Sequence, residues 1–293
     1  MKIATAAYPM EVLADWEAYT EKLTAWVREA ADNGADLLVF PEYGAMELAT
    51  LSGAEIAADL EASLKAVAGY LPAADRLHAA LAQRFKVHIL AASAPVFADD
   101  EARPVNRARL FAPSGEMVAQ DKQIMTRFER EIWHVDAGEQ LQVFDTALGK
   151  IGILICYDSE FPLLGRALSE ADILLVPSCT DTLAGYWRVR IGAMARALEN
   201  QCVCVMASTV GDCDWSPAVD ENVGAGGVFG PPDAGFPDTG ILALGELNTP
   251  GWTYAEVSLT NVRQARETGA QFNRRHWIDQ ETRCKAAQIT QLR

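Results

Sequence analysis

Apolar and polar positions change period repeatedly along this chain. Residues 2–7 alternate as a strand does. Trp16, Tyr19, Leu23, Trp26, Val27 and Ala30 then recur at the three-and-four spacing of a helix until Gly34 supplies a stop. Residues 37–40 form a short unbroken apolar run ending at Pro41, the pattern of a strand buried on both faces. Helices are predicted over about 55–68 and 75–85, a strand over 87–92, and a hairpin over 107–120 that turns at Pro113-Ser114-Gly115. Beyond it, 151–156, 173–176 and 202–208 read as strands, with helices over 163–170 and 188–200 between them. Such alternation predicts an α/β fold. Within it, Ala35-Asp-Leu-Leu-Val-Phe-Pro-Glu42 echoes Ala171-Asp-Ile-Leu-Leu-Val-Pro-Ser178, as expected for two similarly wound sheets layered in one domain. Residues 222–240, rich in Gly and Pro, read as a surface excursion and not a domain boundary.

Composition narrows the function. With 293 residues, half of them apolar, the chain can bury a large core. Its 25 basic and 40 acidic residues give a net charge of −15, which argues against nucleic acid and anionic membrane surfaces as partners. Charge is uneven: residues 261–293 carry +4, leaving −19 on the remainder. A basic tail over 271–293 is expected to dock on its own or a neighbouring subunit, behind a main domain over 1–270. The first residues run into Glu11 and Asp15 without the apolar centre of a signal peptide, and no apolar stretch approaches a membrane span, so a cytoplasmic location is expected. The six cysteines, several within apolar runs, fit reduced thiols. Neither they nor the four histidines show zinc-ligand spacing, so no metal is expected.

Three segments place a reactive side chain beside a predicted strand end: Pro41-Glu42, Asp121-Lys122 and Ile155-Cys156-Tyr157-Asp158. A base, a cation and a thiol suffice for amide hydrolysis through a thioester. Cys156, between a strand and a helix, is the candidate nucleophile, and the Tyr157 backbone N–H can face the oxyanion. Glu42, just past a buried strand, is the candidate base, because desolvation raises a carboxylate's proton affinity. Tyr43, Phe128, Trp133, Tyr157 and Trp187 are candidates for a partly aromatic substrate pocket, with Glu160 as a polar contributor.

Pro41-Glu42, Lys122 and Cys156-Tyr157-Asp158-Ser159-Glu160-Phe161-Pro162 resemble, in order, the three signatures of the nitrilase-superfamily carbon–nitrogen hydrolases. Pro177-Ser178 and Ala195-Arg196-Ala197-Leu198-Glu199-Asn200 add to the likeness. The resemblance implies a four-layer αββα sandwich of two mixed sheets and a homodimer or larger assembly, without metal or organic cofactor. It also implies a small amide as substrate, with N-carbamoyl compounds and nitriles as alternatives. Glu42 would move protons, and Lys122 and the Tyr157 amide would hold the oxyanion. A second glutamate, often seven positions before a glycine in this family, selects Glu131 ahead of Gly138, with Glu129 as the neighbouring choice. Two departures stand out. Glu160 replaces an arginine common in relatives with the Cys-Tyr-Asp motif, so a preference for acidic substrates does not carry over, and residues 123–130 depart from the usual family wording. Competing readings are a cysteine–histidine hydrolase using His78, His88, His134 or His276, and a non-catalytic interaction protein with a vestigial pocket.

Overall fold

The computed structural model describes residues 1–99, 102–284 and 287–292, so Lys285 and Arg293 of the expected basic tail lie outside the described residues. In chain order the elements that build the first half are β1 (Lys2–Pro9), α1 (Trp16–Asp32), β2 (Leu37–Val39), α2 (Ala54–Ala57), α3 (Leu60–Phe85), β3 (His88–Val96), β4 (Val105–Phe111), β5 (Met117–Asp121) and α4 (Arg127–Glu131). The second half contains β6 (Val143–Thr146), β7 (Gly149–Ile153), α5 (Pro162–Ala167), β8 (Ile173–Ser178), α6 (Leu183–Asn200), β9 (Val203–Asp212), β10 (Glu221–Asn222), β11 (Gly227–Phe229), β12 (Ile241–Leu244), β13 (Gly251–Glu256), α7 (Leu259–Thr268) and α8 (Asn273–Glu281).

The strands follow the order β5-β4-β3-β2-β1-β9-β8-β7-β6, two half-sheets meeting at β1 and β9. Those central strands pair only where Ala7–Pro9 meet Ser208–Val210, so the halves separate beyond this seam. On its free flank β1 takes β13 antiparallel, while β9 takes β11. Strand alternation explains the layering. Ile3, Leu37, Val39 and Leu90 share one core with Ile153, Leu175 and Val205 of the other half, so the sheets pack face to face. Ala4, Ala6, Leu38 and Ile89 point the opposite way, onto Tyr19, Leu23 and Val27 of α1 and Leu64 and Val67 of α3. Tyr186, Val189, Ala193 and Ala197 of α6 cover the second sheet. A layered αββα sandwich results.

The internal echo has a structural counterpart: β2 lies beside β1 and β8 beside β9, each in parallel register. Two sequence expectations need correction. The predicted helices over 55–68 and 75–85 are mostly one, α3, which runs through Pro72. Pro72 is exposed, so the carbonyl it leaves unbonded can face water while Leu64, Val67, Leu71, Ala74 and Leu81 keep the opposite face buried. Nor is 222–240 wholly a surface excursion, because Val228 and Phe229 are fully buried and β11 pairs with β9.

At the carboxyl end, Arg266 pairs with Asp172 at 3.0 Å, Arg274 with Glu170, and Arg166 with Glu281. Arg266 and Arg274 thus meet acids of the same chain just after α5, and Glu281 meets Arg166 of α5 itself. Among the described residues no helix is long and apolar enough to cross a membrane.

Candidate active site

Parallel strands β2, β7 and β8 deliver their following residues to one place, as the carboxyl ends of parallel strands commonly do. Glu42 follows β2, Cys156 follows β7 and Cys179 follows β8 directly. Lys122 follows β5, and Glu129 lies on α4.

Glu42 is buried and engaged at both oxygens. Its Oε1 accepts from Lys122 Nζ at 2.8 Å and from Asn106 Nδ2 at 2.9 Å, while Oε2 accepts from the Cys179 backbone N–H at 3.0 Å. Burial pushes its pKa up to about 7, helped by the Glu129 charge and opposed by Lys122. It can therefore both take and return a proton near neutral pH.

Cys156 opens a 3-10 turn with φ of 48°, a strained value for a residue other than glycine. The expected strand over 151–156 stops at Ile153, and the chain bends to present the thiol, with Ser159 Oγ donating to the Cys156 carbonyl at 2.7 Å. Gly192 lets α6 approach this turn, since a Cβ there would fall 2.8 Å from the Ser159 carbonyl oxygen. The thiol donates to the Cys179 carbonyl at 3.8 Å. One residue's backbone thus touches both the Glu42 carboxylate and the Cys156 thiol. Burial, then the neighbouring Glu42 carboxylate, pushes the Cys156 pKa well above the usual thiol range, so the resting form is a thiol that needs a base.

Lys122 is 1% exposed, with its ammonium between Glu42 and Glu129 Oε2, the latter at 2.6 Å. Burial opposes its charge, but the two carboxylates outweigh it and hold the ammonium well above the usual lysine range. Glu129 is anchored in turn. Thr126 donates to Oε2 through its backbone N–H at 2.9 Å and hydroxyl at 2.8 Å, and Tyr43 donates its hydroxyl to Oε1 at 2.8 Å. Burial works against the Glu129 charge, yet Lys122 and the Thr126 donors hold its pKa below the ordinary value.

The glutamate beside Lys122 is therefore Glu129 and not Glu131. Glu131 lies on the outer side of α4 and pairs with Arg127 at 2.7 Å, both side chains being more than half exposed. Spacing from Gly138 points to the residue on the opposite face of the helix. Thr126-x-x-Glu129 carried the better signal, a capping box in which the glutamate folds back over the helix start.

Two further residues were missed. Asp158 is buried and accepts from Gln123 N–H at 3.1 Å, Ile124 N–H at 2.8 Å and Ile155 N–H at 3.1 Å, tying the segment after Lys122 to the Cys156 turn. Burial pushes its pKa up to about 6, despite Lys122 and these amides. The other is Asn106 on β4, whose sequence context has no catalytic signature.

A cavity of about 370 Å³ opens over the cluster. Tyr43, Phe128, Trp133, Tyr157 and Glu160 line it, and Arg188 joins Glu160 at 3.4 Å near its edge. Trp187 does not line it. This residue is 45% exposed on the outer side of α6, because Tyr186 and Val189 take the inward positions of that turn. No histidine lines the cavity either; His78 is buried in α3 and stacks on Phe111. Among the described residues no group of three or more His, Cys, Asp or Glu side chains is arranged to hold a metal ion.

The family model for carbon-nitrogen hydrolases matches residues 2–267. The chain belongs to that family. A probable hydrolase of Bacillus subtilis (strain 168), YhcX, is 33% identical over 271 residues, covering 92% of this chain and 52% of YhcX. The chain thus spans about half the length of that relative. Among solved structures, Saccharomyces cerevisiae Nit3, a nitrilase-superfamily member, superposes with a TM-score of 0.71 at 20% identity over 91% of this chain and 93% of Nit3. A mutant of the amidase from Nesterenkonia sp. AN1, showing Michael addition of acrylamide at its active site cysteine, gives 0.67 at 21% identity over 91% of this chain and 96% of the amidase. At these identities the two structures establish the shared fold.

Proposed function

We propose that the chain cleaves the non-peptide C–N bond of a small amide through a thioester on Cys156. One observation carries this reading: a single buried carboxylate, Glu42, meets the Lys122 ammonium on one oxygen and the peptide beside the Cys156 thiol on the other. Burying such a charged cluster carries a desolvation cost, so its retention counts against a vestigial pocket.

In the first half-reaction Sγ of Cys156 attacks the amide carbon and its proton passes to Glu42. Negative charge develops on the carbonyl oxygen, opposite the Lys122 ammonium and the Tyr157 N–H. Collapse breaks the C–N bond, and Glu42 gives the proton to the departing nitrogen. Glu42 then takes a proton from water, whose oxygen attacks the thioester, and returns it to sulfur as the acid leaves. Glu129 and Tyr43 hold Lys122 in register throughout.

Amides are favoured because the Nesterenkonia relative is an amidase. N-carbamoyl compounds and nitriles present a similar electrophilic carbon to the same thiol and form the other arms of the test. An ammonia-release screen across small amides, ureido acids and nitriles should show amides turning over fastest. Ammonia from nitriles alone would overturn the substrate assignment. The active form is a homodimer or larger: α6 exposes Leu183, Trp187, Ile191 and Leu198, apolar residues a second copy would cover. Its reduced thiols suit the cytoplasm.

A further inference from the structure

We infer that Asn106 is a positioning residue that ties down Oε1 of Glu42, leaving Oε2 to carry the proton between sulfur, leaving nitrogen and water. This rests on the reading of Glu42 as the base. Oε1 receives two donors, Lys122 Nζ and Asn106 Nδ2, which occupy its lone pairs. Oε2 receives the Cys179 amide and keeps a site for the thiol proton.

Asn106 is fully buried and is absent from the cavity lining, so it acts on the base and not on substrate. Its Nδ2 also points toward Glu129 Oε1 at 3.5 Å, placing it between the two carboxylates. Turning the amide over would set its oxygen against both of them. Held as it is, Oδ1 lies buried without a hydrogen-bond partner. An orphaned buried acceptor costs stability, so the side chain is poorly explained by folding alone. The fold uses its backbone instead, whose carbonyl accepts the Lys122 N–H at 2.9 Å.

A donor on Oε1 favours the charged carboxylate, as Lys122 after β5 does, while the Glu129 charge on α4 opposes it; Tyr43 and the thiols of Cys156 and Cys179 are the other titratable groups that face Glu42. Removing that donor should raise the pH at which the base begins to work. The probe is iodoacetamide, whose alkylation of Cys156 releases iodide and needs the thiol proton removed. Its rate is followed against pH by mass mapping of the Cys156 peptide.

Asn106→Ala should move the acidic limb upward by about one pH unit or more, with the rate recovering at high pH, and Asn106→Asp should move it further. A purely structural role would lower the rate equally at all pH values or leave it unchanged, and either result overturns the inference. If both variants fail to fold, the unmodified protein decides. Its Asn106 side-chain amide resonance should titrate with the alkylation limb, and a flat resonance refutes the contact. Failure of the underlying reading looks different: Glu42→Gln would then alkylate normally.

Discussion

Replacing Glu129 by glutamine removes one charge from a buried cluster while keeping its shape. Lys122 loses a 2.6 Å ion pair but retains Glu42, and the new amide oxygen can still accept. Deleting one partner of a buried pair costs about 3–5 kcal/mol when nothing replaces it, so about 2–3 kcal/mol of stability is expected here. Because the pKa of Glu129 is held low, this difference is present above the ordinary glutamate range and closes as pH falls through the depressed value. Catalysis should suffer separately. With a single carboxylate left, the ammonium swings toward Glu42, and kcat/KM should fall by about 10- to 100-fold. Burial dominates the raised pKa of Glu42, and the Glu129 charge adds to it, so the acidic limb should move below about 7. This is opposite in sign to the shift expected from Asn106→Ala. The assay is a kcat/KM profile from about pH 5 to 9, run beside urea unfolding. An acidic limb that stays put or rises would refute the reasoning, as would an equal loss in Glu131→Gln.

Two further outcomes follow from the same geometry. Lys122→Met should lower kcat by about 100-fold or more with a smaller change in KM, and adding Glu129→Gln should cost little further, since the held group is gone; fully additive losses, from a double-mutant cycle, would break that link. The 293-residue chain should sediment as a dimer or larger at micromolar concentration, while Trp187→Glu or Ile191→Glu on α6 should weaken assembly; a compact monomer of the unsubstituted chain would contradict the proposed interface.

Much of this site is legible in the sequence because its residues sit at discontinuities of the hydrophobic pattern. Pro41 ends the buried run of β2 and delivers Glu42, and the run ending at Ile155 delivers Cys156. The echo of 35–42 in 171–178 anticipates paired strands whose ends meet, where the Cys179 amide reaches Glu42. Partners set by tertiary contact leave no such trace. Asn106 looks like any polar strand residue until β4 brings it beside Glu42, and Asp158 acts through amides more than thirty positions away in the chain. β6 and β12 are only partly buried, so their alternation is faint. Counting back from Gly138 selects Glu131, whereas the helix start at Thr126 decides which glutamate turns inward. Pro72 misleads for the reverse reason, since a helix tolerates proline where its open carbonyl faces water.

The thioester is tested most directly by rapid-quench mass spectrometry of the unmodified enzyme turning over a slow small amide, followed by peptide mapping. A transient mass gain equal to the amide less ammonia, confined to the peptide bearing Cys156 and absent in Cys156→Ala, is the predicted result. An acyl group on another residue, or turnover that survives in Cys156→Ala, would contradict it.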